Sequence, residues 1–229
     1  MNTNRDAKAV AIRGVLFDLD GTLLDTAPDM VGALNTLRTE EQFGPVPYAI
    51  ARAHVSTGAI GLLKLAFPNH ADRDMRRLHQ RYLQIYADRL SEETVPFPGV
   101  EELLGALERS GLDWGVVTNK PASLTEPLLE ALELLRRCAC VVSGDTLPER
   151  KPHPGPLLHA LAQAGMDKST AMYIGDASRD IEAGKAAGLM TVAAAYGYIL
   201  PGDDPSGWGA DLIIESPGEL LDHLPAGGR

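Results

Sequence analysis

The sequence predicts an α/β protein, with helices packed around a parallel sheet and a helical insertion after the first strand. Three observations predict it. Short apolar runs such as GVLF, WGVVT and MYIG stop abruptly at polar residues, as buried parallel strands do when they end in functional loops. These runs alternate with segments of helical period, the signature of βα units. Between Asp25 and Pro96 no strong strand signal appears, and the apolar residues keep a helical beat.

Taken in order, strand one runs from about Arg13 to Phe17 and ends at Asp18-Leu19-Asp20-Gly21-Thr22. In the insertion, Met75, Leu78, Tyr82, Ile85 and Tyr86 fall on one broad helical face. The proline-rich VPFPGV, Val95 to Val100, is the expected exit and hinge. Val100, Leu103, Leu104 and Leu107 share a helical face, and Gly111 ends that helix before the strand Trp114 to Thr118. A helix near Ala122 to Leu134, a strand near Cys140 to Ser143 and a helix near Pro154 to Ala164 follow. Ala171 to Ile174 reads as strand, Arg179 to Ala187 as helix, Met190 to Ala193 as strand, and Leu212 to Ile214 as strand before a short helix near Glu219. The expected sheet has about six strands. The expected division is a core of residues 1–24 and 97–229 and a helical unit of residues 25–96.

Composition narrows the function. With 45% hydrophobic and 23% charged residues, the chain reads as an ordinary soluble globular protein. The net charge of −10 disfavours nucleic acid, whose binding depends on cations displacing counterions, and no apolar run reaches the ~18 residues of a membrane span. The first residues lack the apolar region of a signal peptide, so a cytoplasmic location is expected, with the protein a monomer or homodimer. Cys138 and Cys140 form neither a disulfide framework nor a zinc pattern and read as buried or half-buried thiols.

Chemistry-bearing residues gather at the strand ends. Asp18 and Asp20, at i and i+2 on extended backbone, point the same way into the cleft beyond the sheet. Asp176 ends a second strand in the same manner, with Asp180 at i+4 from it. Two or three convergent carboxylates suit Mg²⁺, which prefers oxygen ligands and keeps several waters. Thr118 and Asn119 offer a hydroxyl, an amide and backbone N–H groups at a helix opening, a natural place for phosphate oxygens. Lys151 is fixed in the run RKPHP at another helix start.

In this order FDLDGTLLDT, VVTNK, KPHP and GDASRD resemble the haloacid dehalogenase-like hydrolase superfamily over nearly the whole chain. The resemblance implies a Rossmann-like parallel-sheet core with an inserted α-helical cap domain. It also implies a Mg²⁺-dependent phosphatase forming an aspartyl-phosphate, with Asp18 as nucleophile and Asp20 as general acid, then base. By the same resemblance Thr118 binds the phosphoryl group and Lys151 neutralises nucleophile and phosphate. Asp18, Asp176 and the Asp20 backbone carbonyl hold the metal, supported by Asp180. VVTNKPASLTEPLLEAL and KPHPGPLLHAL resemble bacterial phosphoglycolate phosphatases, which imply a small phosphorylated metabolite as substrate. The tail AYGYILPGDDPSGWGADLIIESP is more similar to the N-acetylmuramic acid 6-phosphate phosphatases, the alternative.

Within the insertion Ser56-Thr57-Gly58 reads as a short polar loop, so Thr57 and Gly58 are the expected substrate readers. Arg52, Arg73, Arg76 and Arg77 read as surface charge, and His153 and His159 as structural. A sugar phosphomutase using the same aspartates and a non-catalytic binding protein are the rival readings; retention of Asp18, Asp20, Lys151 and Asp176 argues against the second.

Overall fold

The structure, a computed structural model, describes residues 12–224, without the side chain of Arg73. The first eleven and last five residues of the expected core, and with them the region read for a signal peptide, lie outside it. In chain order the elements are β1 (Gly14–Phe17), β2 (Leu24–Asp25), α1 (Ala27–Glu40), α2 (Tyr48–Ala53), α3 (Gly58–Ala66), α4 (Asp72–Ala87) and β3 (Val95–Pro96). The chain continues through α5 (Val100–Arg109), β4 (Asp113–Val117), α6 (Ala122–Ala131), β5 (Cys140–Val142), α7 (Gly155–Ala164) and β6 (Ala171–Gly175). It ends with α8 (Ser178–Ala187), β7 (Met190–Ala194) and β8 (Leu212–Ile214).

Six strands form one parallel sheet in the order β5-β4-β1-β6-β7-β8. The central strand β1 is buried along its whole length, and its side chains alternate between two cores. Val15 and Phe17 join Val100, Leu103, Leu104 and Leu107 of α5 on one face, while Leu16 packs with Leu157 and Leu161 of α7 on the other. Truncating one of these leucines to alanine would cost about 2–5 kcal/mol. The chain departs from β1 first toward β4 and β5, then returns to build β6, β7 and β8 on the other side. That reversal opens a crevice at the carboxyl ends of β1, β4 and β6, where ligands of such sheets bind.

Three features depart from the expectation. The exit of the insertion is a strand, since Leu24 pairs with Pro96 and Asp25 with Val95 in a two-residue antiparallel ribbon. Pairing this short leaves no periodicity to read. The helix expected to reach Leu134 stops at Ala131, where Glu133 takes φ +58°, and the segment near Glu219 is a 3-10 helix, Pro217–His223. The ribbon is fastened from inside: buried Asp29 of α1 accepts the Glu93 and Thr94 N–H groups and the Thr94 hydroxyl, the last at 2.7 Å. Both thiols are free, Cys140 buried and Cys138 half-buried, and burial pushes Cys140 up to about 12.

Candidate active site

Asp18 follows β1 directly and is almost fully buried. Its Oδ1 accepts the Leu19 N–H at 2.7 Å and lies 2.9 Å from Lys151 Nζ. Lys151, whose side chain is 0% exposed, also reaches Asp180 Oδ1 at 2.7 Å and donates to the Tyr173 hydroxyl at 2.7 Å. That hydroxyl in turn donates to Val117 O at 2.9 Å. Burial pushes the Asp18 carboxyl upward and Asp180 adds to the push, while Lys151 and Arg179 oppose it. Asn119 does something other than expected: its Oδ1 accepts Lys151 N–H at 3.1 Å and its Nδ2 donates to Lys151 O at 3.0 Å. Its amide therefore clamps the lysine's backbone, while the residue itself also lines a cavity beside Asp18, Asp20 and Thr118.

Asp176 follows β6 and is 1% exposed. Its Oδ2 accepts the Tyr198 N–H at 2.9 Å and the Ser56 hydroxyl. Among the described residues its Oδ1 is buried with no hydrogen-bond partner. Burial, then Asp18 and Asp180, raise this carboxyl to about 7 against the Ser56 and Tyr198 hydrogen bonds. Carboxylate oxygens of Asp18, Asp176 and Asp180 lie within 4.8 Å of one another. An unpartnered buried oxygen within such a group, all hard ligands, fits a divalent cation. Asp180 is otherwise engaged, since Oδ1 pairs with Lys151 and Oδ2 accepts Ala177 N–H at 3.1 Å. Backbone approaches Asp176 closely: a Cβ on Gly21 would stand 2.0 Å from its Oδ2, and one on Gly197 2.3 Å from its Cβ.

The Asp20 carboxylate lies outside that group of three, so only its main-chain carbonyl remains for the metal role the resemblance assigned. Its Oδ1 accepts the Thr26 hydroxyl at 2.7 Å and Lys120 Nζ at 2.9 Å. Lys120 also donates to the Tyr86 hydroxyl of α4 at 2.8 Å and sits 4.5 Å from that ring's centroid. A cavity of about 90 Å³ adjoins Asp18 and Asp20, bounded by Thr118 and Lys120 on the sheet side and by Ser56, Gly58, Tyr82 and Tyr86 from the insertion. The Thr118 hydroxyl accepts Lys120 N–H at 3.2 Å, which leaves its own proton to donate into the cavity.

Thr57 needs correction. Its hydroxyl donates to His54 O at 2.5 Å and it is not among the cavity residues, because the 3-10 turn Val55–Thr57 aims Ser56 inward instead. Gly58 lines the cavity with φ +72°. Arg52, expected on the surface, is partly buried, pairs with Asp25 at 2.6 Å and lies 4.9 Å from the Tyr198 ring centroid. The sequence marks Ser56 only as part of the polar loop and Tyr86 only as a core-facing helix residue, and it gives Lys120, Arg179, Tyr173 and Tyr198 no role. Lys120 and Arg179 stood inside the motifs VVTNK and GDASRD, which was the available signal.

Three acidic or hydroxyl-bearing strand ends around one buried lysine, on this parallel sheet, define a class: the chain belongs to the haloacid dehalogenase-like hydrolase family, whose profile matches residues 15–194. Among curated proteins it is 43% identical to the N-acetylmuramic acid 6-phosphate phosphatase of Pseudomonas aeruginosa over 218 residues, 95% of this chain and 96% of that one. It is 45% identical to the phosphoglycolate phosphatase of Xanthomonas campestris over 209 residues, 91% of this chain and 94% of that one. A solved structure of a predicted phosphoglycolate phosphatase from Haemophilus somnus superposes with a TM-score of 0.83 at 26% identity, covering 92% of this chain and 97% of that one.

Proposed function

We propose that the chain is a phosphatase of small phosphorylated metabolites that works through an aspartyl-phosphate on Asp18. The observation that carries the reading is Asp18 itself: a buried carboxylate at the cavity whose Oδ1 is fixed by Leu19 and Lys151. Its other oxygen attacks phosphorus while the bond to the leaving oxygen breaks. Asp20, held by one oxygen only, gives the leaving oxygen a proton from the other and takes it back from the water that hydrolyses the acyl phosphate. Thr118 donates to the phosphoryl group, and Lys151 offsets its charge.

A carboxylate and a phosphate repel by about 4 kcal/mol per pair of unit charges at 4 Å and an effective dielectric of ~20. Mg²⁺, for which Asp18, Asp176 and the Asp20 carbonyl are the proposed ligands with Asp180 in support, supplies the positive charge that offsets this repulsion. Residues 25–96 act as the cap that selects substrate and excludes water over a core of residues 1–24 and 97–229. The enzyme acts in the cytoplasm as a monomer or homodimer; no helix among the described residues is long and apolar enough to cross a membrane.

Of the two relatives' substrates, 2-phosphoglycolate is favoured, because a cavity of about 90 Å³ bounded by Tyr82 and Tyr86 suits a very small organic group. N-acetylmuramic acid 6-phosphate is the second reading, supported by the 43% identity to the N-acetylmuramic acid 6-phosphate phosphatase of Pseudomonas aeruginosa. Phosphate release from both esters and from hexose 1-phosphates, with Mg²⁺, tests all of this. Isomer formation without phosphate release would mean a mutase, and no turnover of any ester would mean a binding protein.

A further inference from the structure

Ser56 belongs to the insertion, yet its nearest polar business is with the sheet. It is 8% exposed, and its hydroxyl donates to Asp176 Oδ2, 120 residues further along the chain. With the Tyr198 N–H on the same oxygen, two donors fix one side of the carboxylate and leave the buried Oδ1 without a protein partner among the described residues. A carboxylate pinned by one oxygen presents the other in a fixed place, which is how outer-shell hydrogen bonds orient metal ligands.

A second thread joins the same two regions. Tyr198, whose N–H holds Asp176, accepts the Ala27 N–H at 2.9 Å and donates its hydroxyl to Asp25 Oδ1 at 2.7 Å. Arg52, four residues before Ser56, pairs with Asp25 and covers the Tyr198 ring. The segment from Arg52 to Ser56 therefore touches Asp176 once directly and once through Tyr198.

We propose that Ser56 is a positioning residue for the Asp176 carboxylate, so that closure of the helical insertion and binding of a divalent cation reinforce each other. The inference rests on the phosphatase reading above. When the insertion swings away, Asp176 loses one of its two donors and the cation one of its oriented ligands. Coupling between two equilibria is reciprocal, so a bound cation must favour closure by the same factor.

The test is calorimetric titration of Mg²⁺ into substrate-free protein, for wild type, Ser56→Ala and Ser56→Thr. Loss of an outer-shell donor typically weakens metal binding ~10–100-fold, and Ser56→Ala should raise the Mg²⁺ Kd about 10-fold. Ser56→Thr, which keeps the hydroxyl, should stay within about threefold of wild type. In parallel, Mg²⁺ should slow proteolysis at the ribbon near Thr94–Pro96 in wild type and much less in Ser56→Ala. An unchanged Kd in a folded Ser56→Ala protein, equal losses in Ala and Thr, or equal protection of the ribbon would each overturn the coupling while leaving the phosphatase reading intact. A wild-type protein that binds no Mg²⁺ would overturn that reading and the coupling together.

Discussion

Lys151 and Lys120 each neutralise one of the two aspartates that follow β1, and each places its Nζ against a tyrosine hydroxyl. The tyrosines differ in origin. Tyr173 lies on β6, so the hydrogen bonds and ion pairs of Asp18 and Lys151 all come from outside the insertion, from the sheet, its loops and α8. Tyr86 lies on α4, so Lys120, its side chain 4% exposed, holds Asp20 while leaning on the insertion. The nucleophile's direct polar partners therefore do not depend on the insertion, and the proton donor's are complete only when the helices are in place.

The most severe way to probe the insertion-independent half is Asp18→Asn, since an amide cannot form the acyl phosphate. Turnover should fall below ~0.1% of wild type, with an unchanged circular dichroism spectrum. Any folded preparation retaining more, after deamidation is excluded by mass, would remove Asp18 from its role.

Lys151→Ala should also reach the fold itself. It strands Asp18 and Asp180 without their cation, and breaking buried pairs of this kind costs about 3–5 kcal/mol. Urea titration measures that loss, and kcat/KM should drop by a similar factor for two natural esters and for p-nitrophenyl phosphate. A drop confined to one ester would assign Lys151 to substrate reading instead.

The conditional half is sharpened by Tyr86→Phe, which removes one hydrogen bond from Lys120 and leaves the Asp18 cluster untouched. A net hydrogen bond is worth about 0.5–1.5 kcal/mol, so kcat should fall roughly 2–10-fold. If kcat does not move, Asp20 is indifferent to the insertion and the contrast between the two lysines disappears.

The last effect is on stability and not on turnover. The Asp176 carboxyl, at 3.8 when unperturbed and about 7 in the folded protein, binds its proton more tightly folded than unfolded. Its contribution is fully present below 3.8 and lost as pH rises through about 7, at most about 4 kcal/mol at ~1.4 kcal/mol per pH unit. In chelator the melting temperature should fall between pH 5 and 8 by several degrees, at ~2–4 °C per kcal/mol, and Asp176→Asn should flatten the profile. A wild-type profile as flat as the variant's would mean that Asp176 ionises freely.

The insertion-independent half was also the legible half. Asp18 and Thr118 end runs of apolar residues, so the strands announce them, as β6 announces Asp176 even though the insertion also holds it, and Val100, Leu103, Leu104 and Leu107 announce α5 by spacing alone. What the sequence hides is partnership over distance. Asn119 was recognisable as a site residue, but nothing local tells that its amide turns to Lys151, 32 residues away. Tyr82 and Tyr86 read as core because their rings are buried; spacing does not tell that both also bound the cavity or that the Tyr86 hydroxyl holds Lys120. Thr57 and Ser56 exchange places because one residue's rotation in a 3-10 turn decides which hydroxyl faces inward.

The position of β1 also sets a timetable for the growing chain. GVLF pairs only with β4, from Asp113, and β6, from Ala171, so it waits for roughly 100 residues of further synthesis before any sheet partner exists. At ~5–20 residues per second that is about 5–20 s during which a strand buried along its whole length in the folded protein is an exposed, uncharged, β-prone segment. Helices α1 to α4 are made of local contacts and emerge in the interval, so they can fold before the sheet they will cover. An insertion placed directly after β1 thus keeps the first strand waiting for its partners while the helices that will cover the cleft are made.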